Sequence, residues 1–325
     1  MASDVQRRID LIEHQWLDNQ HALRLVLHNS NKKRTGRLRR NEQEERQLWC
    51  PPVPKDFPSH YEFGGYPEAQ IIRIARKYLW RKENIRRAWA RVNHHFPETL
   101  TSKTPLDVLE FSTAHGAMLE VWRHFGHRVR GTDFGGWPDD YNKRGVRPRF
   151  LGPAFKVTHS HPRGPQNLGW VYQPIIESLG LEVDIFDAGT LPYAYGDKSV
   201  DVICCYQAIE AYAAPELWGD VVDEFCRIAR ASIVIGFNPP PIKLREDEAH
   251  MASAMAATEA LRQFDRNGFK CVFMEFGETK AGFHPTAVKL MAVGGAATAK
   301  APPKSATGLQ KTVGEVVLPK SPPQK

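Results

Sequence analysis

Residues 106–134 constrain this chain more than any other stretch: LDVLEFSTAHGAMLEVWRHFGHRVRGTDF. The apolar pair Val108 and Leu109 runs into an acid, Glu110, and a tight turn of small residues follows. A helical apolar pattern then covers 117–125, Gly126 marks its stop, and a second short run ends on Asp133. This is a strand–turn–helix–strand unit with a carboxylate at the carboxyl end of each strand. In an open α/β sheet that edge is where ligands bind.

The alternation continues downstream. Strands are predicted at 107–110, 128–133, 182–186, 200–206 and 232–237. Helices are predicted at 117–125, 171–179, 216–228 and 247–266, the last ended by Asn267–Gly268. The final strands, 270–277 and 287–293, have too short a link for a crossover helix and must pair antiparallel. The pattern predicts an α/β fold: a Rossmann-like, doubly wound, seven-stranded sheet with an antiparallel last strand and an N-terminal helical extension.

Domain boundaries follow from shifts in composition. Residues 1–55 form a helical and basic extension, 56–104 a helical lead-in, and 105–293 the Rossmann-like domain with an insertion at 135–170. Residues 294–325, rich in Ala, Gly, Pro and Lys, read as a disordered basic tail. Near the start, Val5, Ile9, Ile12 and Trp16 share one helical face. So lean a face needs the main domain, a partner or a second copy of the chain to pack on. Residues 66–97 read as one or two helices, with Pro67 in a first turn. Their arginines and lysines, Arg73, Arg87 and Arg91 among them, read as a solvated cationic face.

With 325 residues, 42% of them apolar and 25% charged, the composition suits a soluble protein with one large core. The formal charge of +7 gathers in 32–40 and in the tail, which reads as a solvated arm rather than a nucleic-acid surface. The five cysteines include no C-x-x-C pair, so neither a zinc site nor a disulfide framework is supported, and a reducing cytoplasm is expected. No signal core or membrane-length apolar run is present, so no membrane partner is expected.

A third acid, Asp187, opens the phrase DAGTLPYAYGDKSVDVI, in which Leu191–Pro192 and Gly196–Asp197 lead into the fourth strand. Three strand-end acids in order, a small-residue turn after the first strand, this phrase and a terminal hairpin together resemble the class I S-adenosylmethionine-dependent methyltransferases over residues 105–293. The resemblance implies methyl transfer from S-adenosyl-L-methionine to an unidentified acceptor. It implies that Glu110 reaches toward the methionine amino group and that the backbone of Ser112, Ala114 and Gly116 runs close to the cofactor. His115, unusual at this place, would either cover the cofactor tail or occupy the site in a chain that no longer binds one. Asp133 would accept both ribose hydroxyls, one carboxylate having two oxygens to match a diol. Asp187 would accept from the adenine amine with Ala188 beside it, while Phe134 and Leu191 sandwich the ring. Tyr206 and Gln207 would face the methyl group.

One departure stands out. The family usually has glycines where this chain has Ser112 and Ala114, and a side chain there takes space and resists positive φ. A non-catalytic scaffold that kept the fold is therefore a competing expectation, and RNA binding or modification through 31–48 and 73–91 is a third. A nicotinamide site is weaker still, because the turn lacks the glycines that admit a pyrophosphate.

From the residues alone, Glu210 is the best general-base candidate, with a helix-start acid as the plain alternative. His159 and His161 form an H-x-H pair that His94, His95, Asp139 or Asp140 could complete, but nothing in the spacing compels a site and no metal is expected. Asn238 to Pro241 reads as a rigid loop. The insertion, rich in aromatics and arginine, is long enough to be expected to form part of an acceptor pocket.

Overall fold

The computed structural model describes residues 52–135, 170–238, 247–279 and 282–293. The helix expected near the N-terminus, the H-x-H pair, most of the insertion, residues 239–241 and the tail lie outside the described residues.

The lead-in comprises α1 (Glu68–Ile71), a 3-10 turn (Arg76–Tyr78), α2 (Arg81–His95) and α3 (Pro97–Thr101). The sequence predicts one or two helices here. The chain is cut shorter because Pro97 cannot continue α2. Between the early turns Ile74 drops into a small core with Tyr61, Ile175 and Leu179.

The sheet follows: β1 (Asp107–Phe111), α4 (Ala117–His124), β2 (Arg128–Asp133), α5 (Gln173–Leu179), β3 (Val183–Ile185) and β4 (Val200–Tyr206). After it come α6 (Ile209–Tyr212), a 3-10 turn (Pro215–Leu217), α7 (Trp218–Ile228), β5 (Ala229–Gly236), α8 (Glu248–Arg262), β6 (Asp265–Arg266), β7 (Phe269–Thr279) and β8 (Gly282–Ala292). The strand order is β3-β2-β1-β4-β5-β8-β7-β6. The first five strands are parallel, and β8 enters antiparallel to β5 and to β7. The order reverses between β1 and β4, and a crevice opens at such a switch point.

Strands buried on both faces read as continuous apolar runs, and β1 shows how they are used. Leu109 and Phe111 join one core with Phe225 of α7 and Leu290 of β8. Val108 faces the other way, into a core shared with Trp89 and Val92 of α2 and Trp122 of α4. The lead-in helix therefore covers the sheet directly. Helix α7 buries Trp218, Val221, Val222, Phe225 and Cys226, a stripe at helical spacing.

Among the described residues the sheet has eight strands rather than seven. The sequence runs α8 to 266, but the helix stops at Arg262 because Phe264 turns inward. Asp265 and Arg266 then pair with Lys270 and Phe269 across Asn267 (φ 54°) and Gly268 (φ 75°). Two consecutive positive φ values make the tight hairpin turn that Asn-Gly favours. Strand β3 ends at Ile185, two residues short of Asp187. No described helix is long and apolar enough to cross a membrane.

Candidate functional site

The strand order lays the turn after β3, the end of β2, the end of β1 and the end of β4 side by side on one rim. Asp187, Asp133, Glu110 and Tyr206 stand along it in that order.

The turn after β1 decides how close a ligand can come. Ser112, Ala114 and Gly116 have φ of 58°, 51° and 70°. The chain thus takes glycine-like torsions without glycine at two of three places, which costs about 1–2 kcal/mol for each L-residue. Specific bonds hold it there. Thr113 N donates to Thr132 O at 2.8 Å, Thr113 Oγ1 to Glu110 O at 3.1 Å, and Ala114 N to Asp133 Oδ2 at 3.1 Å. Gly131 is bare where Thr113 lies against it, and a Cβ there would strike the hydroxyl. At Gly116 a Cβ would come within 2.6 Å of the Leu181 Cδ1 methyl and 2.8 Å of the Ile176 Cδ1 methyl, so both side chains would have to move. The double variant Ser112→Gly/Ala114→Gly should relieve the strain while loosening the unfolded chain, for a net gain of about 1 kcal/mol. Thermal melts should show a rise of a few degrees; a fall would mean the two side chains stabilise the turn.

Glu110 is buried, and its Oε2 has no hydrogen-bond partner among the described residues. Burial pushes its pKa up to about 8; the Arg91 charge opposes this and the Asp133 charge adds to it. Asp133 Oδ1 accepts from Phe134 N at 2.8 Å, and its Oδ2 holds Ala114. Burial raises it to about 7, against the pull of those two amides and the nearby Trp170 indole. An aromatic wall rises beside these acids: Trp170 and Tyr172 at 6.2 Å between ring centres, Tyr172 and Tyr78 at 5.8 Å, Tyr78 and His115 at 5.0 Å. His115 Nδ1 accepts from Ala117 N at 3.3 Å. Burial lowers its pKa to about 3, and Arg87, Arg91 and Lys77 push the same way. It is a neutral member of the wall.

Asp187 is half-buried and caps its own turn, accepting from Gly189 N at 2.9 Å. The buried Ala188 accepts from Tyr193 Oη at 2.7 Å. Phe134 is half-buried and Leu191 is 38% exposed. A surface depression lined by Leu191, Asp197, Asp220 and Glu224, among others, shares only Leu191 with these residues.

Across the switch point, the Tyr206 ring packs on Gly236, where a Cβ would lie 2.7 Å from it. Arg91 lies over that ring at 4.2 Å and donates to Gln207 Oε1 at 2.8 Å. Gln207 itself has φ of 59°. Glu210 braces the chain after β5: its Oε1 accepts from Asn238 N at 2.6 Å, and its Oε2 is buried without a partner among the described residues. Burial raises it to about 7.

Arg91 is the residue that sequence patterning overlooks. The solvated-face expectation fails for it and for Arg73, which is buried. The signal was available: Arg91 falls on the helical stripe of Asn84, Ala88 and His95, all buried in α2.

No family model matches the sequence, and no curated protein matches it. Among solved structures, the chain is similar to magnesium protoporphyrin IX methyltransferase of Synechocystis PCC 6803 at 12% identity and a TM-score of 0.37, over 65% of this chain and 83% of that one. It is also similar to a SAM-dependent methyltransferase from Aquifex aeolicus at 16% identity and a TM-score of 0.33, over 63% and 93%. What decides the fold is the sheet itself: five parallel strands reversing at β1/β4, closed by the antiparallel β7–β8 pair. The chain has the class I methyltransferase fold. Within that fold, Glu110 and Asp133 share the rim with Arg91, while Asp187 stands on the neighbouring turn, bonded to its own backbone.

Proposed function

We propose that this chain transfers a methyl group from S-adenosylmethionine to an acceptor. The observation that carries the reading is the buried Glu110 Oε2, which has no partner among the described residues, on the rim at the strand ends. An orphaned buried carboxylate oxygen is costly, and an ammonium group would satisfy it. Arg91, close enough to bias Glu110, supplies the opposite charge for a carboxylate. The pair is complementary to the α-amino-acid end of the cofactor.

The other rim residues fit as well. Each Asp133 oxygen accepts one backbone amide and keeps a second lone pair for a ribose hydroxyl. Asp187, with one oxygen committed to Gly189, keeps the other for an adenine amine beside Ala188. Phe134 and Leu191 offer apolar surface to the ring. The turn through Ser112, Ala114 and Gly116 holds the torsions that glycines would give, so their replacement does not argue for a scaffold that has lost its ligand.

When bound, the cofactor supplies an activated methyl group on a sulfonium. The protein has to align an acceptor and exclude water. Tyr206, fixed between Gly236 and Arg91, and Gln207 border the place where an acceptor would lie. Glu210, with a pKa near neutrality, suits removal of the acceptor's proton. The free thiols Cys204, Cys205, Cys226 and Cys271 suit a reducing compartment.

Calorimetry with S-adenosylhomocysteine tests the reading. The parent chain should bind it, and Asp133→Asn should bind at least about 30-fold more weakly, the cost of a lost charged hydrogen bond. No heat from the parent at high protein concentration would refute it.

A further inference from the structure

We propose that His94, His95 and Glu275 form a site for a divalent transition-metal ion of the zinc class, distinct from the strand-end acids. The inference stands on its own geometry and does not depend on methyl transfer.

The two histidines close helix α2, and Glu275 lies on β7. His95 Nε2 is 3.0 Å from Glu275 Oε2, and His94 Nε2 is 3.5 Å from Oε1. One ligand atom from each residue lies within 4.8 Å of the other two. An ion bound at about 2.0–2.2 Å to each donor needs donors about 3–4 Å apart, so these side chains could close on one with small shifts. Two imidazoles and one carboxylate are a ligand set that zinc and related ions accept, with a coordination position left open.

Charge balance points the same way. The Glu275 side chain is 15% exposed, and its ion-pair partners among the described residues are the two imidazoles, with no lysine or arginine. A largely buried carboxylate needs a cation beside it, and an ion held between the three donors would supply one.

The frame is built to hold the rings. Successive helix residues normally diverge, but Phe96 leaves the helix at φ −131°, and the two imidazole centres lie 4.5 Å apart. Phe273 packs against both, at 6.0 and 5.9 Å. Lys289 Nζ pins the helix end, donating to His95 O at 2.8 Å and to Glu98 Oε2 at 2.7 Å. The His95 ring is 5.6 Å from Tyr206, which places the cluster beside the end of β4.

The test uses the full chain, stripped with a chelator and titrated with Co²⁺ and Zn²⁺. One Co²⁺ per chain should give visible d–d absorption that Zn²⁺ displaces. His94→Gln and Glu275→Gln should each weaken binding by about 100-fold or more, on the scale of ligand loss. His124→Ala, at an exposed histidine near Asp56, should leave binding unchanged. Absence of stoichiometric Co²⁺ binding by the parent overturns the proposal whatever the variants do. So does binding that survives both glutamine variants.

Discussion

Glu110→Gln is expected to weaken S-adenosylhomocysteine binding by about 100-fold and, in the same protein, to raise thermal stability above neutral pH. The first effect follows from removing the charge opposite the ligand's ammonium group; about 2.7 kcal/mol corresponds to that factor and lies in the range for charged hydrogen bonds. The second follows from linkage. The Glu110 pKa is about 8 in the folded chain against an ordinary 4.5. Between those values the native state keeps a proton that the unfolded chain releases. The stability this group contributes is complete below pH 4.5 and drains away as pH rises through about 8. Glutamine has no charge to bury and escapes the loss. The gain should be near zero at pH 5 and reach a few kcal/mol above pH 8, or several degrees in Tm. Asp133 and Glu210, each raised to about 7, tilt the parent's profile the same way. Melts of parent and variant across pH 5 to 9 decide it. A difference that does not change with pH would mean Glu110 is ionised throughout. Binding to the parent should also release protons below about pH 8, visible as a dependence of the binding heat on buffer ionisation enthalpy.

Trp122→Ala is expected to cost about 3–5 kcal/mol, the range for deleting a buried large aromatic, and to lower Tm by about 10 °C or more. Trp122 has no exposed surface. Its ring meets Phe96 edge-on at 5.0 Å, and its Nε1 donates to Thr99 Oγ1 at 3.1 Å. It thereby joins α4 to α3 and to the residue just before it. Trp122→Phe separates the contributions: most apolar volume stays, only the donor is lost, and Thr99 still donates to Phe96 O at 2.7 Å. That variant should lose about 1 kcal/mol. If the alanine and phenylalanine variants melt alike, the α2–α4 layer does not unfold together with the sheet.

The parallel strands were readable because buried strands announce themselves as apolar runs. Strands β2 and β4 fall at the predicted 128–133 and 200–206. The end of α8 was not readable, because its pattern carries through Phe264, and only tertiary packing shows that this ring turns inward. The acids of β1 and β2 could be placed from strand order, and they do neighbour one another. The bond from Asp187 to its own turn could not be foreseen, since Asx geometry is set by local torsions. Neither could the company of Glu275, which sits 180 residues from His95. Spacing along the chain says nothing about such a pair until β7 and the end of α2 are brought together.

Asp133 serves as both anchor and clasp. The oxygens that suit a diol also tether Ala114 and Phe134, so the shape of the loop and its grip on a guest depend on one carboxylate. That frees the letters of the turn to drift, as serine and alanine have here, provided the tether survives. A search for glycines alone would pass such chains by, whereas a search for an acid at the end of the neighbouring strand, within reach of the turn's amides, would find them.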